Sequence, residues 1–94
     1  MSEVKKNFIL SLSVPIIANG VETQEIEMRR PTLGDQLDMM KMKGDDQEKE
    51  IKMTAQLCEL ALEDMRKIDL HDYMLLQEAY LDFLPLMRAK LGIL

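Results

Sequence analysis

Between Phe8 and Met28 the apolar residues recur at every second position, from Leu33 onward at every third or fourth, and the change of period falls on Arg30, Pro31 and Thr32. A period of two belongs to half-buried strands and a period near 3.6 to helices buried along one stripe, so the chain divides into a strand-forming first third and a helical remainder. Phe8, Leu10, Leu12 and Val14 share one face of an extended run, with Ile9, Ser11 and Ser13 on the other. The second run, Val21 to Met28, repeats the alternation less cleanly, with Ile26 and Met28 as its apolar pair. Asn19 and Gly20 lie between the two runs, and both residue types tolerate the positive φ of a tight hairpin turn. Pro15 offers no backbone donor, so it ends regular pairing of the first strand or sets an irregularity beside the turn. An isolated hairpin is marginal in water, and its apolar face must lie on the following helices or on a partner. The fold class is α+β.

Pro31 keeps Arg30 extended, and the Thr32 hydroxyl is placed to cap a helix whose first turn holds Asp35. This helix is expected over about 32–43, with Leu33, Leu37 and Met40, widened by Met39, as its apolar stripe, and with Lys43 and Gly44 as its stop. A second helix is expected over about 46–63, its start the charged stretch Asp45 to Glu50 and its stripe Ile51, Ala55, Cys58 and Leu62, broadened by Met53, Leu57, Leu60 and Ala61. Asp69 is a good cap for a third helix over about 69–84, with Ile68 and Tyr73 at the positions of a hydrophobic staple. Its stripe of Tyr73, Leu76, Tyr80, Phe83 and Leu84 holds three of the four aromatic residues, so the core is expected to form around it. Pro85 ends that helix, and an apolar tail, 85–94, follows. The expectation is one domain over 1–94, a hairpin at about 7–29 and three helices, because a chain this short has room for a single modest core.

Composition narrows the chemistry. The formal charge of -5 disfavours nucleic acid as a partner, and the basic residues are scattered rather than gathered into a patch. The N-terminal apolar stretch alternates and is interrupted by Ser11, Ser13 and Pro15, which is a strand pattern rather than a membrane span. Cys58 is the only cysteine and is expected as a buried thiol; His71 is the only histidine and falls in the first turn of a helix. Asp45, Asp46, Glu48 and Glu50 lack the spacing and turn glycine of a calcium loop, and no cysteine or histidine pair has metal spacing. No serine has a histidine partner suggested by local pattern, and no glycine-rich phosphate loop is present, so neither an enzyme nor a cofactor is expected. Nine methionines stand out against two phenylalanines, two tyrosines and no tryptophan, and methionine suits both irregular core gaps and surfaces that accept varied partners.

The run Met28, Arg29, Arg30, Pro31, Thr32, Leu33, Gly34, Asp35 resembles the small tail assembly chaperones of tailed bacteriophages, the group found in Mu-like and related contractile-tailed phages. Glu63, Asp64, Met65 leading into Ile68, Asp69, Leu70, Asp72, Tyr73 continues the similarity, as do Leu76 to Ala79 and the closing Phe83 and Leu84. The similarity spans about residues 8 to 84 and leaves out the loop from Met42 to Lys49. It implies a non-catalytic protein of the bacterial host cytoplasm, absent from the mature virion, that keeps the tape measure protein soluble while tail tube subunits polymerise around it. The tail tube protein is a second partner on this view, and self-association is open to a 94-residue chain with this much methionine and a free apolar tail. Met39, Met40, Met42 and the tail residues Leu86, Met87, Leu91, Ile93 and Leu94 are the expected partner-binding residues. The alternative is a small acidic regulator that occupies a basic surface on a host protein. Interleaving of the acidic residues with lysines and arginines weakens that reading.

Overall fold

Antiparallel pairing joins β1 (Phe8–Ala18) to β2 (Val21–Met28) through a turn in which Asn19 and Gly20 have φ of 54° and 77°. Two successive positive φ angles give the tight hairpin connection whose twist matches that of its strands, which explains the Asn-Gly pair. The computed structural model describes residues 6–84, so Pro85 and the expected apolar tail lie outside the described residues. Pairing is regular from Phe8 opposite Met28 to Ser11 opposite Glu25, then resumes at Ile16 opposite Thr23. Leu12, Ser13, Val14 and Pro15 therefore stand against Gln24 alone, the irregularity that Pro15 announces. Beyond it Ile16 and Ala18 are buried while Val14 is 50% exposed, so the face begun by Phe8, Leu10 and Leu12 is continued by Ile16 and not by Val14.

Among the described residues four helices follow, not three: α1 (Leu33–Lys41), α2 (Asp46–Leu57), α3 (Leu62–Met65) and α4 (Leu70–Phe83). The expected helix over 46–63 stops at Leu57 because Glu59 takes φ 54°, the N–H of Glu59 bonds the Gln56 carbonyl and that of Leu60 bonds the Ala55 carbonyl. These two bonds form a Schellman stop, which usually places glycine where this chain has glutamate; hence nothing in the residue types marks it. Leu62 moves onto the separate turn of α3 and is 43% exposed. The other starts follow their caps: Thr32 and Asp35 make a reciprocal capping box, Asp45 and Glu48 make another, and the Asp69 carboxylate accepts the N–H of His71. The core gathers Leu10, Ile16, Ile26 and Met28 from the sheet against Met53 and Leu57 of α2, Met65 of α3, and Leu76, Tyr80 and Phe83 of α4.

Three inward-facing carboxylates pin the hairpin to the helices. Asp72, fully buried, accepts the Ser13 N–H at 2.8 Å and the Ser13 hydroxyl at 2.9 Å, and so holds the irregular stretch of β1. Asp64 accepts the Asn19 N–H at 3.2 Å beside Lys67 Nζ at 3.2 Å, and holds the turn. The Asn19 N–H first and then Lys67 lower its pKa. At the open end of the hairpin, Arg29 gives both guanidinium nitrogens to Asp35, Nη1 at 2.6 Å and Nη2 at 2.8 Å. Asp35 also accepts from the Thr32 N–H at 2.8 Å and from Gln56 Nε2 at 2.8 Å, joining β2, α1 and α2 in one node. The Arg29 guanidinium foremost, with Thr32 and Gln56, holds the Asp35 carboxyl well below the usual carboxylate range although burial pushes the other way.

Asp72→Ala is expected to lower unfolding stability by about 2–4 kcal/mol, because two donors at the irregular stretch lose their acceptor, and Ser13→Ala by about 1 kcal/mol. Urea denaturation followed by circular dichroism checks both; equal midpoints for the wild type and Asp72→Ala would refute the pinning role. For Asp35 the sign follows from its depressed pKa: its contribution is complete above the unfolded value of about 4 and is lost as pH falls through the lower folded value. Asp35→Asn is expected to reduce stability at pH 7 and to flatten its decline between about pH 4 and 2. Denaturation midpoints measured across that range in both proteins check the slope.

Candidate functional site

Because Asp35 is spent on the node, the rest of α1 is turned with its apolar stripe outward. Leu33, Leu37 and Met40, spaced i, i+4, i+7 on one face, are 75%, 49% and 67% exposed. Met39 instead packs against the core, and Asp38 shares Gln56 Nε2 with Asp35, at 3.0 Å. The polar side of α1 thus faces α2 and its leucines face water, the reverse of an ordinary amphipathic surface helix. Buried polar groups are tolerated on that inward side only because each has partners. The outward face continues into a cleft between Pro31, Leu33 and Gln36 on one side and Met53, Tyr80 and Leu84 on the other.

This placement divides the expected partner-binding residues. Met40 joins Leu33 and Leu37 on the open face, Met39 is turned to the core, and Met42 is the half-buried C-cap of α1, its N–H bonded to the Met39 carbonyl. Leu86, Met87, Leu91, Ile93 and Leu94 lie outside the described residues. Leu33 and Leu37 are the surface residues that sequence reading treated only as a helical stripe. The available signal was Arg29 upstream of Asp35, because a bidentate arginine at that point draws the carboxylate inward and sends the opposite stripe out.

Two of the groups with reactive side chains hold structural places, Cys58 in the core and Asp45 with Glu48 in a helix cap. Burial pushes the Cys58 thiol up to about 12, so it stays protonated at neutral pH and is a poor nucleophile. His71 is exposed, and its backbone N–H donates to the Asp69 cap. Asp45 and Glu48 are occupied in a capping box. Among the described residues no group of three histidine, cysteine or acidic side chains is placed to hold a metal ion, and no helix is long and apolar enough to cross a membrane. An exposed apolar stripe of α1 thus lies beside a cleft, on a helix held from behind by hydrogen bonds.

Comparison with protein families matches residues 10–85 to the phage tail assembly chaperone proteins described as E, or 41 or 14. Comparisons with curated proteins and with solved structures give no match. The matched segment begins in β1, takes in the Arg29–Asp35 node and all four helices, and covers far more than half of the chain, so this protein belongs to the phage tail assembly chaperone family.

Proposed function

We propose that the protein binds the tape measure protein and keeps it soluble while the tail tube assembles, with the outward stripe of α1 as its docking surface. The family supplies the class of activity, a chaperone of tail assembly. The observation that carries the finer reading is the exposure of Leu33, Leu37 and Met40 on a helix whose polar face is turned inward. A long helical client exposes apolar stripes until it is enclosed, and a short stripe of leucine and methionine matches such a helix while keeping each contact weak enough to release. The apolar residues Leu86, Met87, Leu91, Ile93 and Leu94 extend the same contact in this proposal, and the tail tube protein is the second partner. The work is done in the host cytoplasm, and the protein leaves before the virion is complete.

Co-expression with the tape measure protein of the same phage, followed by size exclusion, tests the pairing. Soluble co-elution is the expected result, and an insoluble client with this protein eluting alone overturns it. Leu33→Ser combined with Leu37→Ser and Met40→Ser is expected to reduce co-elution at least about tenfold while each substitution alters stability by no more than about 0.5 kcal/mol, since exposed side chains leave no cavity. Undiminished co-elution of that folded variant would remove α1 from the site, and the same experiment on the five tail residues assigns their share.

A further inference from the structure

We infer that the outer face of the hairpin is a second docking surface, one that takes a basic amphipathic helix of a protein partner. Leu10, Ile16, Ala18, Ile26 and Met28 point into the core, so the residues alternating with them point out. On that outer face the register sets Ile9 opposite Glu27, Ser11 opposite Glu25 and Ile17 opposite Glu22. The face is therefore divided lengthwise. Its β1 half carries Ile9, 57% exposed, and Ile17, 49% exposed, with Ser11 between them, and its β2 half carries three exposed glutamates. No lysine, arginine or histidine occurs from Asn7 to Met28, so nothing on the hairpin neutralises that row. Glu27 accepts a hydrogen bond from the Asn7 amide at 2.9 Å, which leaves its charge in place.

Charge and spacing identify the occupant. Neighbouring strands lie about 4.8 Å apart, close to the separation of about 5–6 Å between adjacent rows of side chains on a helix. One helix lying along the strands can thus set an apolar row on β1 and a cationic row on β2. From Glu27 to Glu25 is about 7 Å of strand, equal to about four residues of helix rise, and Glu22 lies beyond the irregular stretch at Gln24. The matching helix carries lysine or arginine at i and i+4 toward Glu27 and Glu25, with a further cation on the same face toward Glu22, beside a row of leucine or isoleucine. Such charges raise the association rate and fix the direction of docking. This surface does not include the α1 stripe, so it stands apart from the client-binding proposal.

The test uses the full chain and a fluorescein-labelled synthetic helical peptide of about 15 residues with that pattern, which is long enough to span the row. A peptide of the same composition with its lysines scattered around the helix is the reference. Anisotropy titration is expected to show the patterned peptide binding at least about tenfold tighter than the scattered one, with affinity falling as salt rises. Glu22→Gln, Glu25→Gln and Glu27→Gln together are expected to abolish that preference, Ile9→Gln with Ile17→Gln to weaken binding, and Leu37→Ser to leave it unchanged. Equal binding of both peptides, or a glutamine variant that keeps the preference while showing the wild-type circular dichroism spectrum, overturns the proposal. Loss of binding in Leu37→Ser moves the contact to α1 and overturns it too. So does a light-scattering mass of a dimer that Ile9→Gln and Ile17→Gln return to a monomer, since the face is then covered by a second copy.

Discussion

A sheet of two strands has one neighbour per strand and too little buried surface to persist alone in water, so the hairpin must be secured from behind. Asp72 supplies the central attachment. It sits in the first turn of α4, fully buried, and gives both oxygens to Ser13, where β1 departs from regular pairing and its backbone would otherwise lose partners. Asp64 and Asp35 hold the turn and the open end in the same manner, through Asn19 and Arg29. Each aspartate lies in a different helix, so the hairpin depends on the arrangement of α1, α3 and α4 and also fixes it. With these carboxylates satisfied, the apolar inner face of the sheet closes over Leu76, Tyr80 and Phe83 with little exposure.

The same device explains the unusual orientation of α1. A helix is ordinarily retained by its apolar stripe, which then cannot serve a partner. Here the Arg29, Thr32 and Gln56 donors around Asp35 provide the attachment, and Met39 adds packing, so Leu33, Leu37 and Met40 are not needed by the fold. Hydrogen bonds and ion pairs are directional, whereas apolar contact is not, so a polar node fixes the helix while leaving its opposite face exposed in a defined position. The geometry thus separates the residues that hold the helix from the residues available to bind.

Most of the fold was legible because its local rules agree. The period of two, Asn19-Gly20, Pro15 and the caps at Thr32 and Asp69 each occur where the structure uses them. The stop after α2 was not legible, since a left-handed Glu59 stands where such a stop usually has glycine and carries no residue-type signature. The candidate site was legible as composition but not as orientation. Periodicity places Leu33, Leu37 and Met40 on one side of α1 and leaves open which side faces inward. That choice is made by Asp35 and its partners: Arg29, just after β2, is within reach of a local pattern, whereas Gln56 of α2 lies at a distance in sequence that such a pattern does not register. The carboxylates Asp64 and Asp72 likewise read as ordinary helix-terminal acids until the hairpin is laid upon them.

Exposed apolar stripes carry a risk of aggregation, and the charge distribution limits it. Among the described residues β2 has β1 as its one strand neighbour, and it carries Glu22, Glu25 and Glu27, so two such strands brought edge to edge would set like charges near one another. The net charge of -5 adds a general repulsion between copies. A partner with apolar residues and an excess of lysine or arginine meets the opposite condition, because the same glutamates then attract. The acidic character that argues against nucleic acid as a partner therefore acts as a filter on protein partners, disfavouring like copies while leaving the apolar rows accessible to a cationic helix.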